Sequence, residues 1–132
     1  MFLVIDASVV LEIALRRPAA NAVIQRMFGE SDELHAPHII DVEAAHVIRR
    51  FRRLGEISDE VGREAIAYLE TMPVERHPHV HLLSRIWALR ENLTAYDAAY
   101  VALAEVLAAP LLTRDAKLAR SSGHAARIEY ID

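Results

Sequence analysis

The sequence predicts an α/β fold with a mainly parallel central sheet, and three observations carry that expectation. The runs Phe2–Ile5 and Leu111–Thr113 are continuously apolar, as in strands buried on both faces. Between them, apolar residues recur at helical spacing in several stretches. Strand-like and helical segments also alternate along the chain, which is the signature of parallel crossovers.

Each element has a local reason. The first strand ends at Asp6-Ala7-Ser8, and a helix follows through Val9, Val10, Leu11, Ile13 and Ala14, closed by Arg16, Arg17 and Pro18. A second helix runs from about Ala19 to Phe28, with Val23, Ile24, Met27 and Phe28 as its buried side and Gly29 as its stop. Glu33 to Ala36 forms a short strand, and Pro37 suits the first turn of the next helix. That helix buries Ile40, Ala44, Val47, Ile48, Phe51 and Leu54 and ends at Gly55. Ser58-Asp59-Glu60 caps a helix carrying Val61, Ala65, Tyr68, Leu69 and Met72. Val74 to His77 is a brief strand, followed by a helix bearing Leu82, Leu83, Ile86 and Trp87. Thr94 caps an alanine-rich helix from Ala95 to about Ala108. After Leu111–Thr113 come a helical turn, Lys117 to Arg120, and a last strand, Arg127 to Ile131.

Composition bounds the function. At 132 residues, 53% hydrophobic and 26% charged, the chain suits one compact domain spanning residues 1–132 with a real core. Cysteine is absent, which excludes disulfides, thiolate metal sites and cysteine nucleophiles. No basic leader or long apolar run precedes the first strand, so a soluble, cytoplasmic protein is expected. The net charge of −4 is unusual for a protein that handles nucleic acid. Setting aside four acids as cation ligands leaves 15, which match the 15 Lys and Arg.

Those four are Asp6, Glu43, Asp97 and Asp115. Ligands of open α/β sheets bind beyond the carboxyl ends of the strands. Asp6 follows the first strand, Asp115 follows Leu111–Thr113, and Glu43 and Asp97 sit in the first turns of helices. Each acid has an ordinary reading as well. Asp6 and Asp115 can be turn formers, Asp97 can complete a capping box with Thr94, and Glu43 can answer a helix dipole. Yet Glu43 borders an apolar stripe, and crowded carboxylates repel one another. A hard divalent cation, magnesium or manganese, relieves both problems, and it can activate water against a phosphodiester.

In this order, the strings Asp6-Ala7-Ser8, Glu43 after Pro37, Leu93-Thr94-Ala95-Tyr96-Asp97-Ala98-Ala99-Tyr100 and Leu111-Leu112-Thr113-Arg114-Asp115 resemble the PIN-domain nucleases. The resemblance is closest to the VapC-type toxins of bacterial toxin–antitoxin modules and covers nearly the whole chain. It implies a three-layer α/β/α sandwich and a Mg2+- or Mn2+-dependent endoribonuclease cutting structured RNA such as tRNA or rRNA. It further implies metal coordination by the four acids, hydroxyl support from Ser8 and Thr113, a homodimer and a VapB-type antitoxin. An RNA-processing nuclease without an antitoxin and a non-catalytic partner-binding module are the alternatives.

Arg114, Lys117 and Arg120 flank the acids and are expected to contact phosphates. The run Arg49, Arg50, Arg52 and Arg53 reads first as a solvated helix face, with RNA or antitoxin contact as the sharper reading. His77, His79 and His81 would share one face of a strand, but Pro78 interrupts it and a fourth zinc ligand is missing. Trp87 is expected in the core; Tyr96 and Tyr100 flank Asp97 and could border the substrate groove, with helix packing the preferred reading for Tyr100.

Overall fold

The computed structural model describes residues 1–30 and 32–132. The elements run β1 (Phe2–Ile5), α1 (Ala7–Ala14), α2 (Ala20–Phe28), β2 (Glu33–Pro37), α3 (Ile39–Arg53) and α4 (Asp59–Thr71). They continue with β3 (Val74–His77), a 3-10 turn (Val80–Leu82), α5 (Leu83–Ala88), α6 (Ala95–Leu107), β4 (Leu111–Thr113), α7 (Ala116–Ala119) and β5 (Ile128–Tyr130). Among the described residues the five strands form one sheet in the order β3-β2-β1-β4-β5, and every pairing is parallel.

Helices α1 to α4 pack on one another, while α5 packs on α6, which lies against β1 and β2. The result is the expected α/β/α sandwich. Leu3, Val4 and Ile5 of β1 and Leu111 and Leu112 of β4 are fully buried, as continuous apolar strands between two helical layers must be. In α6 every residue from Ala98 to Ala104 is buried. Four of those seven are alanines, whose small side chains let the helix lie close to the sheet. Among the described residues, no helix is long and apolar enough to cross a membrane.

This strand order creates a switch point. From β1 the chain moves outward to β2 and β3, then returns to place β4 on the other flank of β1. Connections leave the β1–β4 boundary in opposite directions, which opens a crevice at the carboxyl ends of those two strands. The backbone bond from Asp6 N–H to the Leu112 carbonyl (3.3 Å) carries the pairing up to its rim.

Several local expectations need correcting. Pro37 is the last residue of β2 and not in the first turn of α3, where His38 is the cap. Trp87 is 68% exposed and not in the core, with the Arg90 guanidinium 4.4 Å from its ring centroid. The helix α5 is only six residues long and buries none of them fully, so its apolar spacing does not fix an inward side for Trp87. Ile24, Phe28, Leu54 and Val61 also lie exposed at the ends or edges of their apolar stripes.

Candidate active site

Asp6 is the N-cap of α1 and stands where β1 becomes that helix. Its Oδ1 accepts from Ser8 N–H (3.0 Å), Val9 N–H (3.3 Å) and Ser8 Oγ (2.5 Å), and its Oδ2 accepts from Thr113 Oγ1 (2.5 Å). The two hydroxyls are relays. Ser8 Oγ accepts from Arg114 N–H (2.8 Å), and Thr113 Oγ1 accepts from Asp115 N–H (3.0 Å). Backbone donors at the end of β4 thus fix the hydroxyls that hold Asp6, and β1 is fastened to β4 at the switch point. Burial nevertheless pushes the Asp6 carboxyl up to about 6, against the lowering by these donors.

Asp115 caps α7, accepting at Oδ1 from Lys117 N–H (2.9 Å) and Leu118 N–H (3.4 Å). Thr94 caps α6, accepting from Asp97 N–H at 3.1 Å. The expected cap and the expected acid therefore coexist at the start of that helix. Burial raises the Asp97 carboxyl, the nearby Asp115 raises it further, and Thr94 and Lys117 oppose the shift. Glu43 is raised by burial and then by Asp97, against the hydrogen bond that Tyr100 donates to its Oε1 (2.6 Å).

Tyr100 bonds one of these acids, Glu43, and feels the charge of two more. Its ring is buried in α6, and its hydroxyl is driven far above the ordinary range by burial, Glu43, Asp6 and Asp97. The fold thus brings Asp6, Glu43 and Asp97 around one phenol, with Asp115 beside Asp97. Asp6, Glu43 and Asp97 each act on the Tyr100 hydroxyl, and Asp115 acts on Asp97. Among the described residues no three of the four bring donor atoms within 4.8 Å of one another, so they outline an open basin and not a ligand shell. Among the described residues, the only three metal-capable side chains with donor atoms within 4.8 Å of one another are His35, Glu75 and His77, elsewhere on the sheet. An all-oxygen basin fits a hard dication that keeps part of its water, as magnesium does.

Two recesses flank the basin. One, of about 300 Å³, is lined by Asp97, Lys117 and Arg120 among others, and both cations are exposed there. The other, of about 570 Å³ and mainly apolar, runs past Glu43, Val42 and Tyr96. Arg114 departs from the expectation of a free phosphate contact. Its Nη1 is held 2.6 Å from Glu12 Oε1, inside the protein. Glu12 also receives Ala19 N–H (3.1 Å) and lies 3.4 Å from Arg17 Nε. Sequence reasoning missed Glu12, and its signal was a lone acid within the apolar Val9–Ala14 helix. Tyr100 was expected to pack its helix or border the groove, but the bond its hydroxyl makes to Glu43 was missed.

This arrangement has relatives. The PIN-domain family profile matches residues 3–123, and the chain belongs to that family. More particularly, it is 42% identical over 129 residues to Ribonuclease VapC12 of Mycobacterium tuberculosis, covering 98% of each chain. A VapBC2 structure from Rickettsia felis, bound to a DNA fragment from its promoter, superposes with a TM-score of 0.71 at 11% identity and covers 100% of each chain. VapC20 of Mycobacterium tuberculosis, described as a Sarcin-Ricin loop cleaving toxin, gives 0.69 at 11% identity, covering 93% of this chain and 96% of that one. These two structural likenesses establish the fold.

Proposed function

We propose that the chain is a divalent-metal-dependent endoribonuclease, the toxin of a type II toxin–antitoxin pair, with Asp6, Glu43, Asp97 and Asp115 as its metal ligands. The single observation that carries this reading is the gathering of four acids from four elements at the switch point of a chain 42% identical to a ribonuclease along its length. When bound, Mg2+ or Mn2+ supplies Lewis-acid stabilisation of the charge that develops on a phosphodiester. Ser8 and Thr113 orient Asp6, and Tyr100 orients Glu43 by donating to one oxygen, leaving the other free. Lys117 and Arg120 line the recess beside Asp97 and offer charge to the phosphates flanking the cut. Arg114 steadies the site from behind through Glu12.

Structured RNA, such as tRNA or rRNA, is the proposed substrate, in keeping with the cleavage named for VapC20. A VapB-type antitoxin is the proposed partner, in keeping with the VapBC2 assembly. The apolar recess past Val42 and Tyr96 offers such a partner a place to dock beside the acids. Homodimerisation is carried over from the family resemblance alone.

The test is cleavage of folded RNA by the purified chain with Mg2+ or Mn2+. EDTA is expected to stop it, and Asp6→Asn with Asp97→Asn to abolish it while the circular dichroism spectrum stays native. Full cleavage by the double variant would overturn the site assignment.

A further inference from the structure

Parallel pairing of β2 with β3 sets His35 opposite Glu75 and Pro37 opposite His77. Strand alternation then puts His35, Glu75 and His77 on one face of the sheet. His35 Nδ1 lies 2.8 Å from His77 Nε2 and 3.5 Å from Glu75 Oε2. One donor atom from each of the three falls within 4.8 Å of the others.

The protein alone satisfies this cluster poorly. His35 is 3% exposed, and its Nε2 is buried without a hydrogen-bond partner among the described residues. Two neutral imidazoles meeting nitrogen to nitrogen share one proton, and whichever ring holds it, His35 Nε2 stays unmatched. Glu33 Oε1 waits 3.8 Å from that nitrogen. A cation between the rings changes the accounting of protons without releasing any. Each imidazole turns a lone pair inward and keeps its proton on the outer nitrogen. The His35 Nε2 proton then faces Glu33, the carboxylate–histidine–metal pattern of many metal sites.

We propose that His35, Glu75 and His77 bind a transition-metal dication of the zinc class, at a site separate from the acidic basin. Two imidazoles and one carboxylate, with a fourth position open to water, are a donor set that suits zinc. Bonds of about 2.0–2.1 Å in a tetrahedral shell space the donors about 3.3 Å apart. The observed separations of 2.8 and 3.5 Å bracket that spacing. The two sites sort cations by hardness, because the basin offers oxygen alone. Since β3 is an edge strand, the cation clamps it to β2.

The experiment uses the whole chain, stripped with EDTA and then held in excess Mg2+ to occupy the basin. Zn2+ is titrated in by calorimetry and by thermal melting. One equivalent is expected to bind and raise the melting temperature, and the Asp6→Asn, Asp97→Asn double variant is expected to behave alike. Glu75→Gln, at a residue whose side chain is 65% exposed, and His77→Ala are each expected to weaken Zn2+ at least about tenfold, and Glu33→Gln by about tenfold. Failure of the parent chain to bind Zn2+ would overturn the proposal. So would undiminished binding by both Glu75→Gln and His77→Ala, or loss of binding in the acid double variant.

Discussion

Asp6 sits at the end of β1 with four donors around its carboxylate, yet burial still raises it to about 6, against 3.8 for a free side chain. A raised acid favours folding while it is protonated. That contribution is complete below about pH 4 and is lost as pH rises through 6, reaching about 3 kcal/mol. Asn can keep the cap and offer its amide to Thr113. In EDTA at pH 7, Asp6→Asn is therefore expected to unfold at higher urea than the parent. The gap should narrow from pH 6 to pH 4, and Mg2+ should stabilise the parent alone. A gap independent of pH would refute the argument. Tyr100 permits a second prediction at this scale. Removing its hydroxyl takes away the hydrogen bond that offsets burial and Asp97 at Glu43. Tyr100→Phe is expected to raise the Mg2+ concentration for half-maximal cleavage about tenfold, with little change at saturating metal.

Among the elements, α1 serves the site at both ends. One end carries Asp6 and Ser8, and the other presents Glu12 to Arg114 and Arg17. The carboxylate of Glu12 is almost wholly enclosed, and Arg114 is 28% exposed, with its Nε buried and unpartnered among the described residues. Removing Glu12 leaves the Arg114 side chain only partly reachable by water, at a cost of about 1–3 kcal/mol. Glu12→Ala is expected to lower the urea midpoint accordingly, and Glu12→Gln to lower it less. Equal stability of Glu12→Ala and the parent would mean that Arg114 finds water when its partner is gone. The helix α6 does a different job. Its cap at Thr94 places Asp97, and one turn later its buried face delivers the Tyr100 hydroxyl to Glu43.

At the scale of the whole molecule, the parallel α/β architecture was legible because its signals are local. Apolar strands such as Phe2–Ile5, the caps Ser58 and Thr94, and the stop at Gly55 all act within a few residues. The positions of Asp6 and Asp115 were legible for the same reason, since a strand end is a sequence feature. What sequence could not supply is which distant groups meet. The pairing of Glu12 with Arg114 spans 102 positions, that of Tyr100 with Glu43 spans 57, and that of His35 with His77 spans 42. Each depends on the strand order, which periodicity does not encode. Trp87 failed for a related reason, because a helix of six residues has too few turns for its repeat to fix a buried side.

The relay through Ser8 and Thr113 has a consequence in time. Thr113 lies 107 positions after Asp6, and Asp115 is made later still. On a ribosome, β1 and α1 emerge early, with Asp6 held only by its own helix. Three further acids, and the strand that must slot in beside β1, arrive at long intervals afterwards. For an enzyme that cuts RNA, this schedule is a safeguard. Under the proposed site assignment, the growing chain gains its cleavage chemistry only once β4 has been made and docked.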